Sequence, residues 1–153
     1  MFTDNLIENG IYFFDKSSFN WKKINCDEFR KENGINVIYF SNRYCAACKL
    51  FNLLWYPFVD KFVRTNKNID FIYFFVVSCN WFIYDCKSEC ALNAFKKYSI
   101  NVSPVTLLIM NSYNNKIIKV IEGNVGEKLL YNELTKLINK YNRILESIKQ
   151  KNK

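Results

Sequence analysis

Two cysteines separated by two residues, Cys45 and Cys48, are the side chains of this sequence best suited to chemistry. In one helical turn that spacing brings the two sulfurs within disulfide range. Thiolate, not thiol, is the reacting form of cysteine, and a cysteine at a helix N-terminus is stabilised as thiolate by free N–H groups and the positive end of the helix dipole. The stretch Tyr44-Cys45-Ala46-Ala47-Cys48-Lys49 follows the apolar run Val37-Ile38-Tyr39-Phe40 and opens a helical pattern from Leu50 to Val63. Strand, dithiol and helix in that order supply a nucleophile, a resolving thiol and a means of lowering the first pKa. Lys49 adds a positive charge near the thiolate. The chain has six cysteines and no histidine, which excludes Cys–His catalysis and two-His metal sites.

The elements that must position this pair follow from periodicity and punctuation. Ile11 to Phe14 reads as a short first strand. Asn25 and Glu28 have the spacing of a capping box, predicting a helix from about Cys26 to Asn33 that Gly34 ends. Asn36 to Ser41 reads as a buried strand, and the next helix begins near Cys45 or Cys48. Its apolar positions Phe51, Leu54, Trp55, Phe58, Val59 and Phe62 keep helical spacing, and Pro57 inside it predicts a kink or break. Ile69 to Val77 is continuous in apolar character, as a strand covered on both faces would be. Residues 80–88 read as irregular, Ala91 to Tyr98 as a short helix, and Val105 to Met110 as a strand entered through Ser103-Pro104. A turn at 111–115 leads to a strand over Lys116 to Ile121. A final amphipathic helix starts near Glu127, with Leu130, Leu134, Leu137, Tyr141, Ile144 and Ile148 on one stripe. The resulting order, βαβαβαββα, predicts parallel crossovers closed by a hairpin, in an α/β fold.

Length and composition agree with one domain over residues 1–153, with a core at about 11–141 and a terminal helix extending to about 149. Half the residues are hydrophobic and 18% aromatic, which excludes disorder for most of the chain. The net charge of +8 is scattered among lysines without a recognition pattern, so no nucleic-acid partner is expected. The longest apolar run, Phe71 to Val77, is too short to be a transmembrane segment. No apolar leader is visible over Met1 to Gly10, an expectation of a cytoplasmic protein; six cysteines would instead suit a secretory or organelle lumen if the N-terminus is processed. Localisation stays open between the two. The terminal helix stripe suits packing on a sheet, and its seam-like spacing also suits a partner helix.

The order of elements, with Cys-x-x-Cys after the second strand and Ser-Pro entering the fourth, resembles the thioredoxin-like superfamily over roughly Ile11 to Tyr141. The stretch Tyr98-Ser99-Ile100-Asn101-Val102-Ser103-Pro104-Val105-Thr106 is similar to the family's segment ending in Y-x-I-x-x-x-P-T. The resemblance implies a thioredoxin fold, a central mixed β-sheet flanked by helices, here with a cysteine-containing insertion after the third strand. That insertion resembles domains of the protein disulfide isomerase and quiescin sulfhydryl oxidase type more than the small bacterial thioredoxins. The resemblance also implies thiol–disulfide oxidoreductase activity, with Cys45 as nucleophile and Cys48 as resolving thiol. It implies a cis bond before Pro104 beside the dithiol, and a substrate-binding rim of Tyr44, Ser103, Pro104 and Gly123. No cofactor or metal is implied. The partners would be protein substrates with thiols or disulfides and a thiol-based electron donor or acceptor.

The departures from the family pattern have chemical meaning. Tyr44 stands where the family usually has Trp, keeping an aromatic ring without the indole N–H. Ala46-Ala47 carries no imidazolium to stabilise Cys45. Tyr39 stands where the family carries a buried carboxylate, so the Cys48 proton must leave through water or Lys49. Leu53 holds the place of the family's helix proline, and Pro57 comes later. A redox-inactive binding or chaperone module on the same fold is the alternative reading. A zinc site would combine Cys45 and Cys48 with Cys86 and Cys90 or Cys79, but the gap between the pairs is too long for a zinc ribbon.

The other cysteines divide into two sets. Cys26 reads as a small buried hydrophobe. Cys79, Cys86 and Cys90 flank the irregular segment, either as free thiols or as a structural or regulatory disulfide of Cys79 with Cys86 or Cys90; a Cys86–Cys90 bridge within one helix would be strained. The aromatic run Trp81-Phe82-Ile83-Tyr84 reads as core beneath this insertion, or as an exposed hydrophobic lip for unfolded chains.

Overall fold

The apolar run before the dithiol becomes the middle of a six-stranded mixed sheet. The computed structural model describes residues 8–152. Its strands are β1 (Gly10–Asp15), β2 (Asn20–Ile24), β3 (Gly34–Asn42), β4 (Ile72–Cys79), β5 (Val105–Ser112) and β6 (Asn115–Glu122). Its helices are α1 (Ala46–Thr65), α2 (Glu89–Lys97) and α3 (Glu127–Lys151). The sheet order is β2-β1-β4-β3-β5-β6. β3 is parallel to β4 and antiparallel to β5, with Phe40 opposite both Val77 and Val105.

Side chains alternate across a strand, so β3 serves two cores. Ile35, Val37 and Tyr39 join the first, with Phe51, Trp55 and Phe62 of α1 and Leu130, Leu134 and Tyr141 of α3. Ile38 and Phe40 join the second, with Ala91 and Phe95 of α2 and with Phe82. The sheet is thus covered on both faces, which explains why β3 and β4 lack a polar side. The α3 stripe packs on the first core, and buried Glu133 pairs with Lys119 of β6.

Three sequence expectations are corrected at the N-terminal side. The helix foreseen over 26–33 is a single 3-10 turn, Cys26–Glu28. The capping box is real, with Asn25 N–H donating to Glu28 Oε1 at 3.2 Å, but the backbone leaves helical geometry at Phe29, with φ −79° and ψ 130°. Asn36 holds the backbone of Lys31 through both its amide N–H and its carbonyl, at 2.9 and 3.0 Å, and the Phe29 ring packs edge-on against Phe75. Without a crossover helix, β1 is antiparallel to β4 rather than parallel. It forms a hairpin with β2, a strand the sequence pattern did not announce because only Trp21 of its five residues is buried. Cys26, expected as a buried hydrophobe, is exposed and forms a disulfide with Cys90 of α2.

Pro57 does not break α1, which runs continuously through it. The proline is exposed, while Trp55, Tyr56, Phe58, Val59 and Phe62 on either side are buried. Apolar burial of about 1.5–3 kcal/mol per large side chain outweighs the roughly 3 kcal/mol cost of proline in a helix. The irregular segment after β4 is a tight loop closed by a Cys79–Cys86 disulfide.

Gly34 opens β3 with φ +116°, and a Cβ there would stand 2.2 Å from the carbonyl oxygen of Phe71. That oxygen accepts the Ile35 N–H at 2.8 Å, so the two backbones meet where only glycine fits. Gly34→Ala is expected to lower stability by about 1–3 kcal/mol from backbone strain alone, more with the clash, read as a lower urea midpoint at unchanged slope. At the neighbouring sheet end, Lys16 Nζ donates to Ile69 O at 2.6 Å, and burial holds its pKa down at about 8. The unfolded chain therefore binds more protons above pH 8, and Lys16 should make stability rise with pH from about 8 to 10.5. Urea titrations across that window should show the rise in the wild type and its loss in Lys16→Met.

Candidate functional site

Chain direction puts the dithiol at the top of the sheet. β3 ends at Asn42, a short turn follows, and Cys45 becomes the N-cap of α1 with extended backbone at φ −110° and ψ 113°. The Cys45 Sγ accepts the Cys48 N–H at 3.1 Å, the place a capping oxygen takes in other helices. This is the interaction that favours negative charge on Cys45 sulfur. Cys45 and Cys48 are joined as a disulfide with Cα atoms 5.2 Å apart. Cys45 keeps 7% of its surface exposed and Cys48 only 1%, so an incoming sulfur can reach the first far more readily.

The β3–β5 pairing delivers the second half of the site. Val105 opposes Phe40, and so the Ser103–Pro104 segment lies across from the turn that carries Cys45. The Ser103–Pro104 peptide bond is cis. The Ser103 carbonyl oxygen lies 3.7 Å and its hydroxyl 3.4 Å from Cys45 Sγ. Gly123, at φ +87° after β6, donates its N–H to Pro104 O at 2.8 Å. Tyr44 is 64% exposed, and its N–H donates to Asn80 O at 3.2 Å. Of the four expected rim residues, Ser103 lies against the Cys45 sulfur and Tyr44 precedes it in the chain, Pro104 follows Ser103 and is hydrogen-bonded to Gly123, and the Tyr44 side chain is largely exposed.

Behind the dithiol, the buried Tyr39 hydroxyl lies 2.7 Å from Asn52 Oδ1 and 3.2 Å from Cys48 O. Burial pushes the Tyr39 phenol far above its ordinary pKa, so it stays neutral and takes no proton from Cys48. Lys49 is exposed.

The loop after β4 forms the flank of the site. The Cys79–Cys86 disulfide, with Cα atoms 4.6 Å apart, closes it. Asn80 Nδ2 donates to Asp85 Oδ1 at 3.1 Å, and Asn80 Oδ1 accepts from Asn9 at 3.0 Å and Arg43 at 3.3 Å. The aromatic run divides. Phe82 enters the second core, whereas Trp81, Ile83 and Tyr84 are exposed, Tyr84 to 82%. With Phe95 and Ile100 they bound a groove of about 560 Å³. Neither expectation for the run holds for all four residues.

Sequence reading missed Asn42. Its side chain, 1% exposed, accepts the Phe82 N–H at 2.6 Å and donates to Ser103 Oγ at 3.0 Å. A polar residue ending an apolar strand just before a Cys-x-x-Cys was the available signal, but the same pattern marks any strand end. The thiols weighed for zinc are divided between separate disulfides, and no group of three or more metal-ligating side chains is clustered among the described residues. No described helix is long and apolar enough to cross a membrane.

No protein-family model matches the chain, and no curated protein matches it. Solved structures do. Thioredoxin from Aeropyrum pernix superposes with a TM-score of 0.58 at 12% identity, covering 85% of this chain and 95% of that one. A thioredoxin from Thermus thermophilus gives 0.51 at 14% identity, covering 71% and 76% respectively. At such identities the likeness is one of architecture. The architecture of the chain is the thioredoxin fold.

Proposed function

We propose that the protein is a thiol–disulfide oxidoreductase acting on protein thiols or disulfides, with Cys45 as nucleophile and Cys48 as resolving thiol. The observation that carries this reading is the Cys45–Cys48 disulfide at the α1 N-terminus, with Cys45 capping the helix and facing the Ser103 carbonyl. In the reducing direction, Cys45 thiolate attacks one sulfur of a substrate disulfide. A mixed disulfide forms, and the other substrate sulfur leaves as thiolate and takes a proton from water. Cys48 then loses its proton to water and attacks Cys45 Sγ. The second substrate thiol is released, and the substrate has gained two electrons and two protons. The protein is left as the disulfide, and a dithiol donor restores it by the same exchange. The oxidising direction is the reverse. Tyr44, Ser103, Pro104 and Gly123 form the rim that meets the substrate chain, with Ser103 offering main-chain groups to an extended peptide.

A second reading has a specific observation in its favour. Exposed Trp81, Ile83 and Tyr84 beside the site would suit a module that binds unfolded chains without turnover. Turnover separates the two. In a disulfide-reduction assay with a dithiol donor, Cys45→Ser and Cys48→Ser should each remove at least about nine-tenths of the catalysed rate, since each breaks the cycle at a different step. Equilibration of the wild type with glutathione should give one two-electron transition for Cys45 and Cys48. Wild-type rates equal to those of the two variants, with equal capture of an unfolded protein, would leave the binding module.

A further inference from the structure

The Phe82 amide fixes the orientation of the Asn42 side chain beside Cys45. A backbone N–H only donates, so the Asn42 atom 2.6 Å from Phe82 N is its carbonyl oxygen. The other end of Asn42 is then the NH₂, and it donates to Ser103 Oγ at 3.0 Å. Ser103 Oγ has one proton of its own, and with Asn42 feeding an oxygen lone pair that proton is left to point at Cys45 Sγ, 3.4 Å away. We propose that Asn42 is a positioning residue for thiol–disulfide exchange: anchored by the loop amide of Phe82, it orients the Ser103 hydroxyl as a donor to the Cys45 sulfur and so stabilises the thiolate. The inference rests on the function proposed above.

The other groups around the sulfur make this donor matter. On α1, Cys45 receives the Cys48 N–H and has the exposed Lys49 four residues on. On the β3 side, Arg43 directs its guanidinium to Asn80. On the loop after β4, Asp85 is held by Asn80. Ser103 and its neighbours carry no titratable side chain. Among the described residues the donors to Cys45 sulfur are thus the Cys48 amide and the Ser103 hydroxyl, and the second is aimed by Asn42. The loop closed by Cys79–Cys86 is tied to the nucleophile through the same three bonds.

The test is the pH dependence of Cys45 alkylation by iodoacetamide in the reduced full chain, read on the Cys45 peptide by mass spectrometry. Ser103→Ala should raise the Cys45 pKa by about one pH unit, the size of a lost hydrogen bond to a charged sulfur. Ser103→Thr, which keeps the hydroxyl, should stay near wild type. Asn42→Ala should raise the pKa by less, and should add nothing in the Ser103→Ala background. Additive shifts, or an Asn42→Ala profile equal to wild type, overturn the proposal, since a merely structural role would lower stability and leave the profile in place. If Asn42→Ala fails to fold, the wild-type Asn42 side-chain amide is followed by NMR. It should titrate with Cys45 and cease to do so in Ser103→Ala; an amide that does not move also overturns the proposal. Glutathione exchange by the wild type is scored separately. Its failure removes the proposed function, while a working exchange with unmoved profiles removes only the role of Asn42.

Discussion

β3 is buried along its whole length and hydrogen-bonded on both sides, parallel to β4 and antiparallel to β5. That double pairing is the constraint on which the site depends. A one-residue slip would turn every β3 side chain to the opposite core, so the two apolar faces hold the register. Once it is held, the end of β3, the start of β5 and the end of β4 arrive together at one edge. Cys45, Ser103–Pro104 and the Cys79–Cys86 loop are the chain segments that leave those three strand ends. Their meeting is a consequence of sheet registration, and local sequence around the cysteines does not produce it.

The two further disulfides act at different ranges. Cys26–Cys90 closes 64 residues and ties the 3-10 turn beneath β1 to α2. Chain-entropy reasoning assigns such a closure about 4 kcal/mol, against about 2 kcal/mol for the seven-residue Cys79–Cys86 closure. In place of a crossover helix the chain bends through Phe29 and Arg30, with Phe29 packed against the second core. The short bridge contributes less to global stability than the long one. It also closes the loop whose Phe82 amide reaches Asn42.

Most of the fold could be read from periodicity. β3, α1, β4, α2, β5, β6 and α3 were recognisable because their apolar residues are dense and regular. The failures lie between Phe14 and Gly34. There Asn25 and Glu28 state a helix start correctly, but the chain leaves the helix after one turn, where Asn36 holds Lys31 and the remote Phe75 and Cys90 engage Phe29 and Cys26. β2 escaped because one buried Trp21 is too little alternation to distinguish a strand from a turn. The break allowed at Pro57 does not occur, since flanking apolar burial carries the helix through it.

For the site, the sequence by itself determined the chemistry that was available. Cys-x-x-Cys after an apolar strand and before a helix places a thiolate-stabilising N-terminus at Cys45, and this is local geometry that short-range spacing encodes. The tertiary structure alone decided what faces that sulfur. Ser103 lies 58 residues away in the chain and Phe82 lies 40 residues from Asn42. Hydrogen bonds over such separations depend on strand register and on the direction of each donor, which residue identity does not specify. The same holds for Cys26, whose partner Cys90 is chosen by where β1 and α2 pack.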